Sequence, residues 1–291
     1  MIVAAVVPFR DEERFLPTFL ASVESQHRHP DRLYLVDDGS ADASPSIARA
    51  FAARHPWAHA LRRPPTDMGR DRLAAAAELL AFQWAVDRLE EPYDVIAKLD
   101  ADLELPPDFF AELDMRFTAD PRLGMAGAHI RDAGPAGRGR RLRCPPGHVQ
   151  GMTKLYRREC FEDIAPLPPI LGWDTIDEAR ARMRNWRTET FALPHGDVVH
   201  LRRMGSGQGV LRGYRRAGVA AHGYGSSPLL VALAGLSRMR DRPVIVAGLN
   251  YLAGWLGAAA RRQPRAEPRV RAFVRREQHQ RVRRRLSGSG G

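Results

Sequence analysis

The sequence of 291 residues has few of the features that mark several common protein classes. Its two cysteines, Cys144 and Cys160, are too few for a disulfide framework or, on their own, for a four-ligand zinc site. The first residues show no cleavable signal pattern, and no repeat of about 20–50 residues is visible. We therefore expect a cytoplasmic protein in a reducing compartment and no repeat architecture.

Most of the chain has little excess of positive over negative charge, although the formal net charge of the whole is +11. Residues 261–291 hold eleven arginines and two glutamates and so account for +9 of that total. Phe273 is the only Phe, Tyr or Trp in this segment, which leaves little for stacking on bases. We therefore do not expect nucleic acid as a partner.

The sequence also lacks an apolar run of membrane-spanning length. Residues 244–260 are seventeen residues without a charge, but they include several glycines, and a spanning helix needs about 20 apolar residues. One interpretation is a helix at the inner face of the cell membrane, with the arginines that follow on anionic headgroups. The alternative is a buried helix followed by a solvated basic tail.

The composition is otherwise that of a folded protein, with 44% hydrophobic and 27% charged residues. Short continuous apolar runs at 2–7, 33–36 and 95–99 are typical of strands buried on both faces of a parallel sheet. Segments with helical spacing lie between them. The pattern predicts an α/β fold with a mostly parallel sheet flanked by helices.

Acidic residues follow each of these three strands: Glu12, then Asp37 and Asp38, then Asp100 and Asp102. Because ligands of open α/β sheets bind beyond the carboxyl ends of the strands, we expect these acids to face one crevice. Mg²⁺ and Mn²⁺ prefer oxygen ligands and need only one or two carboxylates when phosphates supply the rest. Their positions therefore make these acids candidates for a ligand site, and their oxygens suit a divalent cation.

Four strings resemble, in the same order, the motifs of the family 2 glycosyltransferases: residues 7–13 (Val-Pro-Phe-Arg-Asp-Glu-Glu), 36–40 (Val-Asp-Asp-Gly-Ser), 99–102 (Leu-Asp-Ala-Asp) and 172–178 (Gly-Trp-Asp-Thr-Ile-Asp-Glu). The resemblance implies a GT-A (Rossmann-like) domain, which we place at residues 1–225, and an inverting, metal-assisted transfer from a nucleotide-diphosphate sugar. Residues 226–291 are expected to form a helical, Arg-rich extension.

The resemblance implies that five residues bind the nucleotide sugar: Pro8, Arg10, Glu12, Asp38 and Asp100. Asp38 is the better candidate for the nucleoside, and Asp100 holds either the ribose or the cation. The family usually has a small or polar residue near Arg10, so the alternative for Arg10 is a salt bridge to Glu12 without ligand contact.

The cation, Mn²⁺ or Mg²⁺, is expected on Asp102, with His200 as a second ligand. Some relatives complete the metal site from the side of His200, but a lone histidine is equally explained as a core or surface residue. Arg202 and Arg203 follow closely and can reach phosphate.

Inversion needs a general base that takes the proton of the acceptor hydroxyl. Among the acids of residues 172–178 we predict Asp177 as this base, with Glu178 as the second choice. A helix beginning near Thr175 would instead give Asp174 a structural role as its N-cap.

We expect transfer to an acceptor hydroxyl that the sequence does not identify, in cell-surface glycan synthesis if the acceptor is lipid-linked. A soluble small-molecule acceptor is the other choice. A nucleotidyltransferase on the same fold is one rival function, but it needs a basic glycine-rich loop after the first strand, where this chain has Asp11, Glu12 and Glu13. A non-enzymatic binder of anionic membrane or RNA, based on the arginine tail, is the other rival.

Overall fold

A computed structural model describes residues 1–65, 72, 75–134, 139–202 and 209–286, with side chains to residue 283. The chain divides into two compact units. The first consists of Met1–Arg70, Ala77–Ala165 and Arg184–Arg203, and the second of Asp71–Ala76, Pro166–Met183 and Met204–Gly291.

The first unit is built on a seven-stranded sheet in the order β3-β2-β1-β4-β8-β6-β9. Its strands are β1 (Val3–Phe9), β2 (Arg32–Asp37), β3 (Ala58–Arg62), β4 (Val95–Leu99), β6 (Leu123–Ala128), β8 (Thr153–Arg157) and β9 (Arg187–Phe191). Neighbouring strands are parallel except where β8 pairs antiparallel with β4 and β6. The predicted mostly parallel α/β sheet is therefore confirmed.

A second, three-stranded sheet has the order β5-β10-β7 and consists of β5 (Leu103–Glu104), β7 (Ile130–Asp132) and β10 (Val198–His200). Helices of this unit are α1 (Leu16–Glu24), α2 (Ser44–Ala52), α3 (Ala77–Val86), α4 (Phe109–Ala119) and α5 (Arg158–Ile164). Every residue of β1 and of β4 is buried, which explains why these strands read as continuous apolar runs.

The second unit is helical in its described part. It contains α6 (Trp173–Met183), α7 (Val210–Gly223), α8 (Pro228–Arg238), α9 (Val246–Ala260) and α10 (Pro268–Leu286). Helix α6 packs on α10 through Ile176, Ala179, Val270 and Val274, all of them buried. The helical, Arg-rich region expected near the carboxyl end is thus confirmed, while the domain boundary between residues 225 and 226 stays a prediction.

Glycine allows α7 and α9 to touch backbone to backbone. A Cβ atom on Gly218 would lie 2.0 Å from the carbonyl oxygen of Tyr251, and one on Gly254 would lie 2.0 Å from that of Arg215. Any larger residue at either position would force the two helices apart. Helix α9 covers most of the uncharged run 244–260, and no helix among the described residues is long and apolar enough to cross a membrane.

Candidate active site

The carboxyl ends of β2, β1 and β4 lie side by side at one edge of the large sheet. The parallel register pairs Phe9 at the end of β1 with Asp37 at the end of β2, and β4 adjoins β1 on its other side. The loops that carry Glu12, Asp38 and Asp100 therefore leave the sheet at the same edge, as the sequence pattern predicts.

The loop after β1 is fastened to the loop after β2 by hydrogen bonds that the sequence motifs do not reveal. The backbone N–H of Glu12 donates to Ser44 Oγ at 2.8 Å, and that of Asp11 donates to Ser40 Oγ at 3.1 Å. In return the N–H of Ala41 donates to Asp11 Oδ1 at 2.8 Å. These bonds fix the backbone of Glu12 relative to the loop after β2.

The turn after β2 separates the roles of its two aspartates. Asp37 Oδ1 accepts a hydrogen bond from the N–H of Ser40 at 2.8 Å, and Gly39 between them has φ +84°, a conformation that favours glycine. Asp37 thus shapes the turn. Asp38 is buried and accepts a hydrogen bond from Arg63 Nη1 at 2.8 Å, and Arg63 is buried as well.

Pairing of β5 with β10 brings His200 next to Asp102. The antiparallel register sets His200 opposite Leu103, and the N–H of Leu201 donates to the backbone oxygen of Asp102 at 2.8 Å. His200 Nε2 lies 3.4 Å from Asp102 Oδ2, while its Nδ1 lies 3.4 Å from Asp132 Oδ1. The two predicted metal-site residues, 98 positions apart in sequence, are therefore neighbours, and both are buried.

Arg202 joins the carboxylates that follow β1 and β4. Its Nε donates to Asp102 Oδ2 at 3.0 Å, and its Nη2 donates to both carboxylate oxygens of Glu12, at 2.6 and 2.5 Å. The guanidinium also lies 4.9 Å from the centre of the Phe15 ring. Arg202 is thus engaged with carboxylates, and its predicted contact with phosphate stays a prediction. Arg203 lies outside the described residues.

Burial and charge shift the pKa values of this cluster in different directions. Burial raises the pKa of Glu12 to about 7, with Asp102 adding to the rise and Arg202 opposing it. For Asp102 burial also favours the protonated form, but His200 and Arg202 outweigh it and the pKa falls below its ordinary value. The pKa of His200 is raised because its hydrogen bonds to Asp102 and Asp132 outweigh its burial.

Asp100 belongs to an ion pair that the sequence analysis missed. It contacts the Nζ of Lys98, which is fully buried and also donates to the backbone oxygen of Gly151 at 3.1 Å. Burial lowers the pKa of Lys98, but Asp100 and Glu78 outweigh that effect, so the pKa is raised and the ammonium form persists. A charged residue inside the apolar run 95–99 was the available signal for this partner.

The other two predicted donor-site residues lie at the end of β1. Pro8 is buried within the strand, and Arg10 is exposed just beyond it. Arg10 Nε is 3.5 Å from Asp11 Oδ2, and its Nη1 donates to the backbone oxygen of Asp38 at 3.4 Å. The alternative of a salt bridge between Arg10 and Glu12 is wrong, because Glu12 is held by Arg202 instead.

The predicted base lies in the second unit. Asp177 and Glu178 are buried in α6, at 0% and 2% exposure. Glu178 Oε2 is 3.4 Å from Arg182 Nη1, and Arg182 donates to both carboxylate oxygens of Glu277 at 2.8 Å. Asp174 lies inside the first turn of α6, so it is not the residue that precedes the helix and its expected N-cap role is wrong.

The Asp102–His200 pair could supply two ligands of a divalent cation whose other ligands come from a substrate and water. No group of three or more His, Cys, Asp or Glu side chains within the described ranges is arranged to hold a metal ion alone. A carboxylate oxygen and an imidazole nitrogen 3.4 Å apart can serve as adjacent ligands, and diphosphate oxygens and water would complete the shell.

Comparison with known families agrees with this geometry. The model of the family described as "Glycosyl transferase family 2" matches residues 4–169, which include the strand ends and the acids up to Asp102. A comparison with curated proteins gives no match.

Solved structures show a similar fold at low sequence identity. One is the mannosyltransferase PcManGT from Pyrobaculum calidifontis in complex with GDP-Man and Mn²⁺, at 16% identity and TM-score 0.56, covering 94% of this chain and 78% of that one. TarS 1–349 from S. aureus is similar at 14% identity and TM-score 0.52, with 88% and 71% covered. Its complex with UDP-GlcNAc gives 15% identity, TM-score 0.51 and coverages of 88% and 72%. The fold is therefore of the GT-A type.

Proposed function

The chain belongs to glycosyl transferase family 2, and from that premise we propose that it moves a sugar from a nucleoside-diphosphate sugar to an acceptor hydroxyl with inversion. The observation that carries this proposal is the Asp102–His200 pair beside the joined carboxyl ends of β1, β2 and β4. Family membership also decides against the two rival functions, a nucleotidyltransferase and a non-enzymatic binder.

We propose a uridine or guanosine diphosphate sugar as donor, bound at the edge formed by the strand ends. In this proposal Asp38, which accepts a hydrogen bond from Arg63, also accepts hydrogen bonds from the nucleoside, and Asp100, which pairs with Lys98, accepts them from the ribose. Pro8, Arg10 and Glu12 form the neighbouring wall. In the complexes similar to this chain the donors are GDP-Man and UDP-GlcNAc, which supports the choice of bases.

Asp102 and His200 would hold Mn²⁺ or Mg²⁺, as the Mn²⁺ in the similar mannosyltransferase supports. The cation supplies positive charge to the diphosphate as the glycosidic bond breaks. Because Arg202 contacts the same oxygen of Asp102 that faces His200, we propose that Arg202 exchanges this contact for the diphosphate when donor and cation bind. Glu12 keeps Arg202 at the site during that exchange.

In the proposed reaction the acceptor oxygen forms a bond to the anomeric carbon while the bond from that carbon to the diphosphate breaks. The hydroxyl proton passes to a carboxylate, for which we propose Asp177. Glu178 is the second candidate, and its ion pair with Arg182 lowers its availability as a base. Both acids lie on consecutive positions of one helix, so a single segment supplies either choice.

We further propose that α8 and α9 attach the protein to the surface of an anionic membrane. Leu229, Leu233 and Leu236 recur at helical spacing on α8 and are at least half exposed, as are Leu249 and Leu256 on α9. The two helices pack on each other, so their leucines lie on a common hairpin. Clustered exposed leucines are typical of helices that lie in the plane of a membrane interface.

The connection between these helices strengthens the choice of an anionic lipid surface. Val244 and Ile245 are more than half exposed, and they follow the exposed residues Arg240 and Arg242. Apolar side chains beside arginines match a bilayer with anionic headgroups. Such an attachment would support a lipid-linked saccharide as acceptor and a role in cell-surface glycan synthesis.

Turnover of sugar nucleotides tests the proposed reaction. The protein is incubated with Mn²⁺ and a panel of uridine and guanosine diphosphate sugars, with water as the acceptor, and release of the nucleoside diphosphate is followed. We expect one donor to be turned over and NMR of the first product to show an inverted anomer. A retained anomer would contradict the mechanism, and no release from any donor would contradict the donor assignment.

Sedimentation with vesicles tests the attachment. We expect binding to vesicles that contain phosphatidylglycerol and a clear loss of binding in Leu233→Gln/Leu256→Gln. Met115→Gln is the matched control, since Met115 is a similarly exposed apolar residue on α4 in the first unit. Equal sedimentation of all three proteins would contradict the attachment and favour a soluble acceptor.

A further inference from the structure

The second unit contains a cavity of about 470 Å³ that no step of the proposed reaction uses. It lies between α7, the end of α9, the segment after α9 and the segment before α6, and the residues that line it all belong to this unit. Cavities of roughly 300–1,000 Å³ are typical of small-molecule sites. The volume therefore suits a ligand of moderate size.

Arginine dominates the polar part of the lining. Arg212, Arg215 and Arg216 come from one face of α7, and Arg261 comes from the end of α9. The contact of α7 with α9 at Gly254 leaves no room for a side chain between the helix backbones. Arg212, Arg215 and Arg261 are exposed to solvent as well as lining the cavity.

The lining of the cavity contains no Asp or Glu. Glu267 is paired with Arg180, and Glu277 with Arg182, both on α6. Within the described part of the chain Arg212, Arg215 and Arg261 take part in no ion pair, so three arginines that line the cavity have no acidic partner.

The neighbouring arginines make the region still more positive. The pKa of Arg265 is lowered by burial and by repulsion from Arg271 and Arg275. The pKa of His222 is lowered by burial and by Arg265 and Arg271. Both shifts are due in part to repulsion between positive groups, and a cluster of such groups attracts an anion.

The rest of the lining is mainly apolar and includes Ile170, Leu171, Val219 and Pro264. A guanidinium group binds phosphate with two parallel hydrogen bonds, so several of them favour a phosphate over a smaller or singly charged anion. We propose that this cavity binds a phosphate monoester or diphosphate whose organic part is apolar. The site goes beyond the proposed donor site, because it uses neither the strand-end carboxylates nor Asp102 and His200.

Calorimetry in the presence of EDTA tests the site with defined probes. The full chain is titrated with inorganic pyrophosphate and with butyl phosphate, and EDTA removes the cation on which the donor site is proposed to depend. We expect binding of both probes, and we expect Arg212→Gln/Arg215→Gln to weaken it at least about tenfold. Asp102→Asn should leave both affinities unchanged, which separates this site from the donor site.

A matched double variant controls for the loss of two charges. Arg269→Gln/Arg283→Gln removes two exposed arginines of α10 that do not line the cavity, and it should bind the probes like the parent. Melting temperatures establish that the variants fold. If Arg212→Gln/Arg215→Gln does not fold, Arg261→Gln, which changes one exposed residue at the end of α9, repeats the test with the same expected direction.

Vesicles containing phosphatidic acid distinguish a lipid headgroup from a free phosphate ester. Loss of vesicle binding in Arg212→Gln/Arg215→Gln, but not in the α10 control, would identify the headgroup as the source of the phosphate. Loss of butyl phosphate binding alone would identify a free ester. The proposal is overturned if no probe binds, or if the cavity variant and the α10 control lose affinity equally.

Discussion

The two units of the chain differ in whether the charged side chains of their sites are paired. At the strand ends of the first unit each carboxylate already has a cationic partner: Arg202 holds Glu12 and Asp102, and Arg63 holds Asp38. The three carboxylates are largely buried, where an unpaired charge would be costly. A ligand that binds here must therefore replace some of these ion pairs with its own contacts. A divalent cation together with a diphosphate can do so, because the cation can pair with the carboxylates and the diphosphate with the arginines.

The cavity of the second unit shows the reverse arrangement. Glu267 and Glu277 pair with Arg180 and Arg182 of α6, whereas Arg212, Arg215 and Arg261 take part in no ion pair among the described residues. An anion can be added there without displacing a protein group. We therefore expect the first site to depend on a divalent cation, and the second to be independent of it but weakened by salt.

The largest effect is expected for Asp177, the proposed general base. Asp177→Asn should lower kcat about 10²–10⁴-fold, because the acceptor proton then has no base, while nucleotide affinity stays the same. Steady-state kinetics on the donor found by the turnover assay measure this. Glu178→Gln is the comparison; a larger loss of kcat in Glu178→Gln than in Asp177→Asn would transfer the role of base to Glu178.

The next largest effect is expected at the metal pair of the first unit. Asp102→Asn should lower kcat/KM by about a hundredfold or more, since the carboxylate oxygen that faces His200 is lost as a cation ligand. Raising the Mn²⁺ concentration should recover part of the rate. Glu90→Gln, an exposed acid of the same unit, is the control; an equal loss in the two variants would contradict a metal role for Asp102.

A third test asks whether the paired arginines of the second unit, unlike those that line the cavity, stabilise the fold. Arg182→Met removes both hydrogen bonds to Glu277 and leaves Glu178 without that charge, so we expect a loss of about 2–4 kcal/mol in the free energy of unfolding. Arg281→Met removes a more exposed arginine 3.9 Å from the same glutamate and should cost less than about 0.5 kcal/mol. Urea denaturation measures both, and equal losses would contradict a structural role for the inner pair.

The smallest predicted effect is a pH dependence of stability at Glu12. Its pKa of about 7 in the folded protein exceeds its ordinary value of 4.5, so the folded state holds this proton more tightly than the unfolded state. Stability from this group is present at low pH and is lost as pH rises from about 4.5 through 7. The difference in unfolding free energy between the parent and Glu12→Gln, measured in EDTA, should decline across this window; a flat difference would contradict the raised pKa.

Those parts of the fold that are governed by local patterns could be predicted from the sequence. The strands at 2–7, 33–36 and 95–99 could be predicted because burial on both faces of the sheet favours an uninterrupted apolar run. Helix α7 was not predicted, because its glycines at 213, 218 and 223 lower helix propensity. Gly218 is explained only by its contact with Tyr251 on α9, which no local pattern reveals.

The same distinction applies to the site. Acids directly after strands could be found from the sequence, and so could His200 after its short strand. Their partners Arg63, Lys98 and Arg202 could not be assigned, since each pairing depends on tertiary structure: Arg202 meets Glu12 across 190 positions of sequence. Long-range ion pairs depend on which loops the topology brings together, and the spacing of residues along the sequence does not predict those loop contacts.

Calorimetry of nucleoside diphosphates tests the central claim most directly. UDP and GDP are titrated into the parent and into Asp102→Asn, each with and without Mn²⁺. The account predicts that one nucleotide binds the parent in a Mn²⁺-dependent manner and that this dependence is lost in Asp102→Asn. Nucleotide binding with the same affinity in all four conditions would contradict it, because the strand-end carboxylates would then not form a cation-dependent donor site.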